Sequence, residues 1–197
     1  SKPAPIFIHS LFRTGSTYIF NVFRRSPEAC FCYQEPLHEL AWHARMAPDR
    51  LLAEPDEAAL RRLRHPPLAR GYHRELREVW PAWRDSLREE AIYAAYFAPP
   101  GLDIGLDYWR ALVAAAPVRA LFQECRTAAR IAPIRSALGG THLYLWRNPW
   151  DQWWSYKVSP YFGAVSQLIM CASGAPPEVD ALRRALAYQL LAALAYL

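Results

Sequence analysis

Residues 5–25 read PIFIHSLFRTGSTYIFNVFRR. The apolar run over residues 5–10 predicts a short buried strand, and the spacing of apolar residues over 16–25 predicts an amphipathic helix. A loop that leaves a strand and enters a helix presents backbone N–H groups and the positive end of a helix dipole, so it suits an anion. This stretch therefore predicts a strand, an anion-binding loop around Gly15 and a helix, in that order.

The rest of the chain continues the alternation of strand and helix. Short apolar runs predict further strands over residues 29–34, 118–124 and 141–147. Helical spacing predicts helices over residues 57–63, 75–97, 107–116, 128–138, 149–157 and 178–197. Residues 143–146 are consecutively apolar, which is typical of a parallel strand buried on both faces. The predicted fold class is α/β, with a parallel sheet flanked by helices on both faces.

The length and composition predict one domain. The chain has 197 residues, of which 53% are hydrophobic and 14% aromatic, so it can bury one sizeable core. We expect a single domain over residues 1–197, with a helical insertion over about residues 40–116. The apolar pattern over 178–197 has no helix-ending residue, so we also expect this domain to be incomplete at its C-terminal end.

The charge of the chain favours an anionic ligand. The formal net charge is +5, and Lys2 and Lys157 are the only lysines, so arginine supplies nearly all of the positive charge. The planar guanidinium of arginine suits phosphate and sulfate. The balance is too small for a protein that coats nucleic acid, so we predict no nucleic-acid partner. The sequence leaves the oligomeric state open.

The cysteines and the hydropathy pattern indicate a reduced, cytoplasmic protein. The four cysteines form no C-x-x-C pair, so neither a zinc site nor a disulfide framework is predicted. The first ten residues lack the pattern of a secretory signal, and no run approaches the length of a membrane span. We therefore predict cytoplasmic localisation and no transmembrane segment.

The loop after the first predicted strand carries three kinds of anion-binding group. Arg13 supplies a fixed positive charge, and Gly15 lets the backbone close around an oxyanion. Ser16 and Thr17 offer hydroxyls that either cap the helix or bind the anion, and ordinary capping explains them equally well. The loop has one glycine and no lysine, unlike the pattern G-x-x-x-x-G-K-[ST], which disfavours a Mg-ATP site.

A second anion-binding signal follows the last predicted strand. Arg147 ends that strand, Asn148 is a natural helix N-cap, and Pro149 suits the first helical position. Ser155 follows two turns later. An arginine at the carboxyl end of a parallel strand lies at the edge where open α/β sheets bind ligands. This second signal favours anion binding over ordinary capping.

These residues carry a resemblance to a known family. The segment Phe12-Arg13-Thr14-Gly15-Ser16-Thr17 resembles the 5′-phosphosulfate loop of sulfotransferases, and Arg147-Asn148-Pro149-x-Asp151-x-x-x-Ser155 is similar to their 3′-phosphate motif. The segment Tyr33-Gln34-Glu35-Pro36-Leu37-His38 is most similar to carbohydrate sulfotransferases and their bacterial relatives, in which a Glu-Pro dipeptide follows the loop. Residues 122–126 resemble the family segment that precedes the 3′-phosphate strand. The resemblance does not extend to residues 45–116, and many family members have lysine in place of Arg13.

The resemblance implies a P-loop NTPase-like sulfotransferase fold, with 3′-phosphoadenosine 5′-phosphosulfate (PAPS) as the sulfuryl donor. The acceptor it implies is a hydroxyl of a carbohydrate-like or other small molecule, and no metal is required, because arginine supplies permanent charge. It assigns donor binding to Arg13, Thr14, Gly15, Ser16, Thr17, Tyr18, Arg147 and Ser155. Arg13 would also stabilise the leaving phosphate. Glu35 would be the general base, with His38 as the second choice.

Two other functions stay open from the sequence. One is a P-loop nucleotide kinase-like enzyme, and the other is a catalytically inactive nucleotide-binding scaffold. Trp150, Trp153 and Trp154 offer rings that stack on a sugar or on adenine, but tryptophans on a helix packed against a sheet are more often part of the core. We therefore expect these three side chains to be buried.

Overall fold

The computed structural model describes residues 2–26, 28, 30–53, 57–62 and 71–186. In these residues four parallel strands form one sheet. They are β1 (Ile6–Ser10), β2 (Cys30–Gln34), β3 (Arg119–Glu124) and β4 (Thr141–Leu145). The strand order is β2-β3-β1-β4. The four predicted strands and the α/β class are therefore confirmed.

Ten α-helices connect or flank the strands in the described part of the chain. They are α1 (Ser16–Arg25), α2 (Glu39–Ala44), α3 (Glu57–Arg62), α4 (Arg74–Glu78), α5 (Trp80–Trp83), α6 (Leu106–Ala115), α7 (Ile131–Leu138), α8 (Pro149–Tyr156), α9 (Pro160–Met170) and α10 (Pro177–Ala185). Short 3-10 helices lie at Pro48–Leu52, Glu89–Ala91 and Ala128–Arg130. None of the helices in the described ranges is long and apolar enough to cross a membrane.

Helices cover both faces of the sheet, because alternate residues of each strand point to opposite faces. On one face, Phe20 of α1 joins Ile8 of β1 in a buried cluster. On the other face, a larger core combines Phe7 and Phe122 with Trp109 of α6. The rings of Phe7 and Phe122 stack with their centres 4.8 Å apart. The prediction of a sheet between two helical layers is confirmed.

The single helix predicted over residues 75–97 is wrong. The chain instead forms α4, then α5, then the 3-10 turn at Glu89–Ala91. Pro81 lies in the first turn of α5, where its missing N–H breaks no hydrogen bond. Inside one continuous helix the same proline would remove a hydrogen bond and clash with the preceding turn. The apolar spacing over residues 75–97 therefore comes from buried side chains on several short helices.

The helix predicted over residues 178–197 is observed as α10 as far as Ala185. Residues 187–197 lie outside the described residues, as do residues 29 and 63 of two other predicted elements. Between β2 and β3 the described residues form helices and turns, without a further strand.

The expectation that residues 143–146 are buried on both faces is wrong. Among the described residues β4 pairs with β1 alone, so it is an edge strand, and Trp146 is 75% exposed. The tryptophans of α8 that we expected in the core are also exposed: Trp150 by 71%, Trp153 by 47% and Trp154 by 61%. Runs of apolar residues occur both in central strands and in edge strands. The sequence pattern therefore did not indicate that β4 lies at the edge of the sheet.

Trp109 is buried and Trp150 is exposed, so the two residues give a matched test of this fold. We expect Trp109→Ala to lower the free energy of unfolding by about 3–5 kcal/mol, because it leaves a large cavity in the core. We expect Trp150→Ala to change it by less than about 0.5 kcal/mol, because the side chain is exposed. Urea unfolding followed by circular dichroism measures both. Equal effects would contradict the described placement of α6 and α8.

Candidate functional site

Four loops meet at one edge of the sheet, because the carboxyl ends of parallel strands all point the same way. Residues 11–15 follow β1, residues 35–38 follow β2, residues 125–127 follow β3, and residues 146–148 follow β4. Every residue that the sequence assigned to the site lies on one of these loops or at the start of the helix that follows it, except Ser155, which lies near the end of α8. The structure thus brings the two predicted motifs to the same edge.

The loop after β1 has a constrained backbone. Arg13 and Gly15 have φ angles of 65° and 90°, both in the left-handed region. Gly15 is the N-cap residue of α1, and as a glycine it has no side chain with which to cap that helix. Gly15, and not Ser16 or Thr17, therefore occupies the N-cap position. The first N–H groups of a helix have no partner inside the helix, so this position suits an anion.

Three other predicted donor-binding residues occupy different surroundings around this loop. The Thr14 hydroxyl donates to the carbonyl of Leu11 at 3.0 Å, so it stabilises the turn. Ser16 is buried, with its Oγ 3.7 Å from the Sγ of Cys125. Tyr18 is largely exposed on the first turn of α1.

The second predicted motif contacts the first one. The Oδ1 atom of Asn148 accepts a hydrogen bond from the Trp150 N–H at 2.9 Å, so Asn148 is the N-cap that the sequence predicts. Arg147 donates from Nη1 to the carbonyl oxygen of Arg13 at 3.4 Å. Arg13 in turn donates from Nε to Ser155 Oγ at 2.7 Å. The two arginines and the serine therefore lie around a single place on the sheet edge.

Helix α8 has one face toward the loop and one away from it. Gln152 lies on the loop side with Ser155, and its Nε2 donates to the carbonyl of Phe12 at 2.7 Å. At 100° per residue, Trp150, Trp153 and Trp154 lie on the opposite side of the helix. The Lys157 ammonium lies 3.7 Å from the centre of the Trp153 ring. These tryptophan rings therefore lie away from the place where the two motifs meet.

Next to the loop that follows β1, a fully buried arginine contacts three carboxylates. Arg126 Nη1 lies 3.0 Å from Glu35 Oε2 and 3.3 Å from Glu124 Oε1, and Arg126 Nη2 lies 3.0 Å from Glu39 Oε2. Tyr93 and Tyr161 also contact this guanidinium through their hydroxyl oxygens. The three carboxylates come from the ends of β2 and β3 and from α2, so Arg126 holds these segments together.

Glu35 has a strained backbone and a hydrogen-bonded carboxylate. Its φ is 39°, which makes it one of three non-glycine residues with positive φ in the described part, beside Arg13 and Ala98. Its Oε1 accepts a hydrogen bond from the Tyr72 hydroxyl at 2.6 Å, and its Oε2 accepts one from Arg126. Strained residues of this kind cluster at functional sites. Two of the three residues with positive φ, Arg13 and Glu35, are therefore residues that the sequence analysis assigned to catalysis.

The charges of this cluster follow from burial and from Arg126. Burial alone would raise the pKa of the Glu35 carboxyl, but the Arg126 guanidinium, His38 and the Tyr72 hydrogen bond together hold that pKa below its usual value. The same competition lowers the pKa of Glu39 to about 2. Burial raises the pKa of the Glu124 carboxyl, and backbone N–H donors from Leu37 and Cys125 oppose that rise. Glu35 and Glu39 are therefore ionised at neutral pH.

His38 is the N-cap residue of α2. Its Nδ1 accepts a hydrogen bond from the Leu40 N–H at 3.0 Å, so this nitrogen carries no proton. Burial lowers the pKa of the imidazole, which keeps it neutral near pH 7. A neutral ring with an unprotonated Nδ1 carries its hydrogen on Nε2. In this arrangement the ring donates from Nε2, so it suits substrate orientation better than proton abstraction.

Four residues of the cluster were missed by the sequence prediction. Arg126 was noted only within the resembling segment 122–126, and Tyr72, Tyr93 and Tyr161 were not singled out. Their contacts with Glu35 or Arg126 span separations of 33 to 91 residues along the chain. No spacing along the chain signals such contacts.

The described residues contain no group of three or more His, Cys, Asp or Glu side chains arranged to hold a metal ion.

Comparisons with known proteins do not add a family to this geometry. No family model, no curated protein and no solved structure matched the chain. The functional argument therefore depends on the residues of the site themselves.

Removal of Arg126 tests the buried ion cluster. We expect Arg126→Met to lower the free energy of unfolding by about 3–5 kcal/mol, because it leaves buried carboxylates without a counter-charge. Arg74→Met is the control, since it removes an exposed i,i+4 pair with Glu78, and such pairs contribute less than about 1 kcal/mol. Urea unfolding at neutral pH compares the two. A similar loss in both variants would contradict the role given to Arg126.

The same cluster makes stability depend on pH. The pKa values of Glu35 and Glu39 are lower in the folded chain than the value of about 4.3 usual for unfolded glutamate. Their stabilisation is therefore present above that value and is lost as the pH falls toward the folded pKa, about 2 for Glu39. We expect the urea midpoint to fall steadily between about pH 5 and pH 3. A constant midpoint over this interval would refute the assignment.

Proposed function

We propose that this protein is a sulfotransferase that moves a sulfuryl group from PAPS to a hydroxyl of a carbohydrate-like or other small acceptor. The observation that carries the proposal is the contact between the two anion-binding loops, in which Arg147 reaches the carbonyl of Arg13 and Arg13 reaches Ser155. A donor with two separate anionic groups needs two such loops at one sheet edge. The proposal includes the P-loop NTPase-like sulfotransferase fold that the sequence resemblance implies.

Each loop would bind one anionic group of the donor. Arg13 and the backbone N–H groups of residues 15–17 suit the 5′-phosphosulfate, because the positive end of a helix dipole favours an anion. Arg147 and Ser155 suit the 3′-phosphate. The Ser155 oxygen accepts from Arg13, so its own hydrogen can point to a phosphate oxygen. Arg13 is thus shared between the two halves of the nucleotide.

The transfer would proceed in line through a loose transition state, as in phosphoryl transfer. A bond forms between the acceptor oxygen and sulfur while the bond between sulfur and the bridging phosphate oxygen breaks. The electron pair of the broken bond stays on that phosphate oxygen, where Arg13 stabilises the charge that develops. The acceptor proton moves to the carboxylate of Glu35, which becomes a neutral carboxylic acid and is ionised again when solvent takes the proton.

Glu35 is the preferred base in this proposal. It is ionised at neutral pH, and its lowered pKa makes it a weak base. A weak base suffices when bond formation to the acceptor is little advanced, because the acceptor hydroxyl becomes acidic only as the new bond forms. His38 is placed to orient the acceptor, since its Nδ1 is occupied by the Leu40 N–H. The permanent charges of Arg13 and Arg147 would neutralise the donor, so transfer should persist in EDTA.

Donor binding is the first test. We expect the product nucleotide, 3′-phosphoadenosine 5′-phosphate, to bind in isothermal titration calorimetry, and we expect Arg147→Ala to weaken it by about 10–100-fold, since a charged hydrogen bond contributes about 1.5–3 kcal/mol. Arg110→Ala is the matched control, because Arg110 is an exposed arginine paired with Asp107. Absence of binding to the folded wild-type chain would overturn the proposal. Tighter binding of Mg-ATP than of this nucleotide would favour the kinase-like alternative.

Loss of the carboxylate is the second test. We expect Glu35→Gln to reduce kcat for transfer of radiolabelled sulfate by about 10²–10⁴-fold while nucleotide binding is retained. Glu78→Gln is the control, because that carboxylate pairs with Arg74 at the surface. Thermal unfolding shows whether both variants are folded at the assay temperature. Wild-type binding without any turnover on a panel of sugars, glycolipids and phenols would favour the inactive scaffold.

A further inference from the structure

Tyr72 lies close to the proposed base, although it belongs to a part of the chain that the resemblance does not cover. Its hydroxyl donates to Glu35 Oε1 at 2.6 Å. The next residue, His73, donates from Nδ1 to the carbonyl of Gln34 at 3.1 Å, since a carbonyl can only accept. Its ring lies 4.7 Å from that of Tyr72. Two successive residues thus attach this segment to the end of β2, beside Glu35.

We infer that Tyr72 is a positioning residue for the proposed reaction: its hydroxyl holds the Glu35 carboxylate in place and limits how readily that carboxylate takes up a proton. The inference rests on the proposed function, because it gives Glu35 the role of base. Tyr72 does not itself take the proton. It acts through Glu35.

The surroundings of Tyr72 keep it a hydrogen-bond donor. Burial raises the pKa of the phenol well above its usual value, and the charge of Glu35 adds to that rise. The hydroxyl therefore keeps its proton at neutral pH. A donor to an ionised carboxylate stabilises the charged form. Loss of the Tyr72 hydroxyl should therefore make Glu35 a stronger base.

Other groups that face Glu35 act on it independently of Tyr72. The titratable and charged side chains around this carboxyl are Arg126, Glu124, Cys125, His38 and Tyr161. Arg126 occupies Oε2, whereas Tyr72 occupies Oε1, so the two donors are on different oxygens. The Cys125 thiol is 3.9 Å from Oε1 and therefore adds only a weak contact. Removing the phenol hydroxyl leaves the Arg126 ion pair unchanged.

The test compares Tyr72→Phe with Tyr33→Phe. Each variant removes one phenol hydroxyl, from the half-buried Tyr72 or from the buried Tyr33, but Tyr33 donates to the carbonyl of Leu112 and not to a carboxylate. We expect Tyr72→Phe to raise the titration midpoint of the Glu35 carboxyl by about one pH unit, because a hydrogen bond to a charged group contributes about 1.5 kcal/mol. Carbon-13 NMR of labelled glutamate, assigned with Glu35→Gln, measures this. The acid limb of the pH profile of kcat/KM should move upward by the same amount.

Two readouts separate the inference from the function on which it rests. A Glu35 titration that Tyr72→Phe leaves unmoved overturns the inference, and so does a moved titration with an unmoved acid limb. A change of thermal stability alone, equal to that in Tyr33→Phe, shows a purely structural role and also overturns it. The proposed function is contradicted separately if the wild-type chain binds no 3′-phosphoadenosine 5′-phosphate. The NMR titration of Glu35 can be measured whatever the result of that binding test.

Discussion

The ion pairs of Arg126 hold together segments that lie far apart in the sequence. One guanidinium, fully buried, contacts carboxylates that follow β2, that end β3 and that begin α2. Removing a charge from water is costly, and the cost is offset only when the remaining hydrogen-bonding atoms find partners. Here Tyr93 and Tyr161 provide those partners, and Phe12 packs against the guanidinium with its ring centre 4.9 Å away. The edge of the sheet is consequently fixed before any ligand arrives.

This fixed edge carries two residues in sparsely populated backbone conformations. Arg13 and Glu35 both have positive φ, one in the loop after β1 and the other directly after β2. Such conformations persist only where surrounding contacts hold them. Ser155 holds the side chain of Arg13, and Arg126 and Tyr72 hold that of Glu35. The strain and the hydrogen bonds that maintain it therefore occur at the same residues.

The sequence predicted those features that depend on neighbouring residues. The four strands follow from short apolar runs, and the cap at Asn148 follows from its position before Pro149. The role of Arg126 depends instead on contacts with residues up to 91 positions away, which no local pattern encodes. The exposure of Trp146 and Trp150 depends on which strand lies at the edge of the sheet, and an apolar run does not carry that information. Pro81 is a local signal against the single continuous helix predicted over residues 75–97.

The two sides of the site come from different parts of the chain. The loops that meet at Arg13 and Arg147 are short connections of the sheet, whereas Tyr72 and Tyr93 come from the long helical stretch between β2 and β3. Mutations in that stretch can reshape the surroundings of Glu35 without altering either loop. Under the proposed function, such mutations would alter the acceptor side of the site and leave its nucleotide side unchanged.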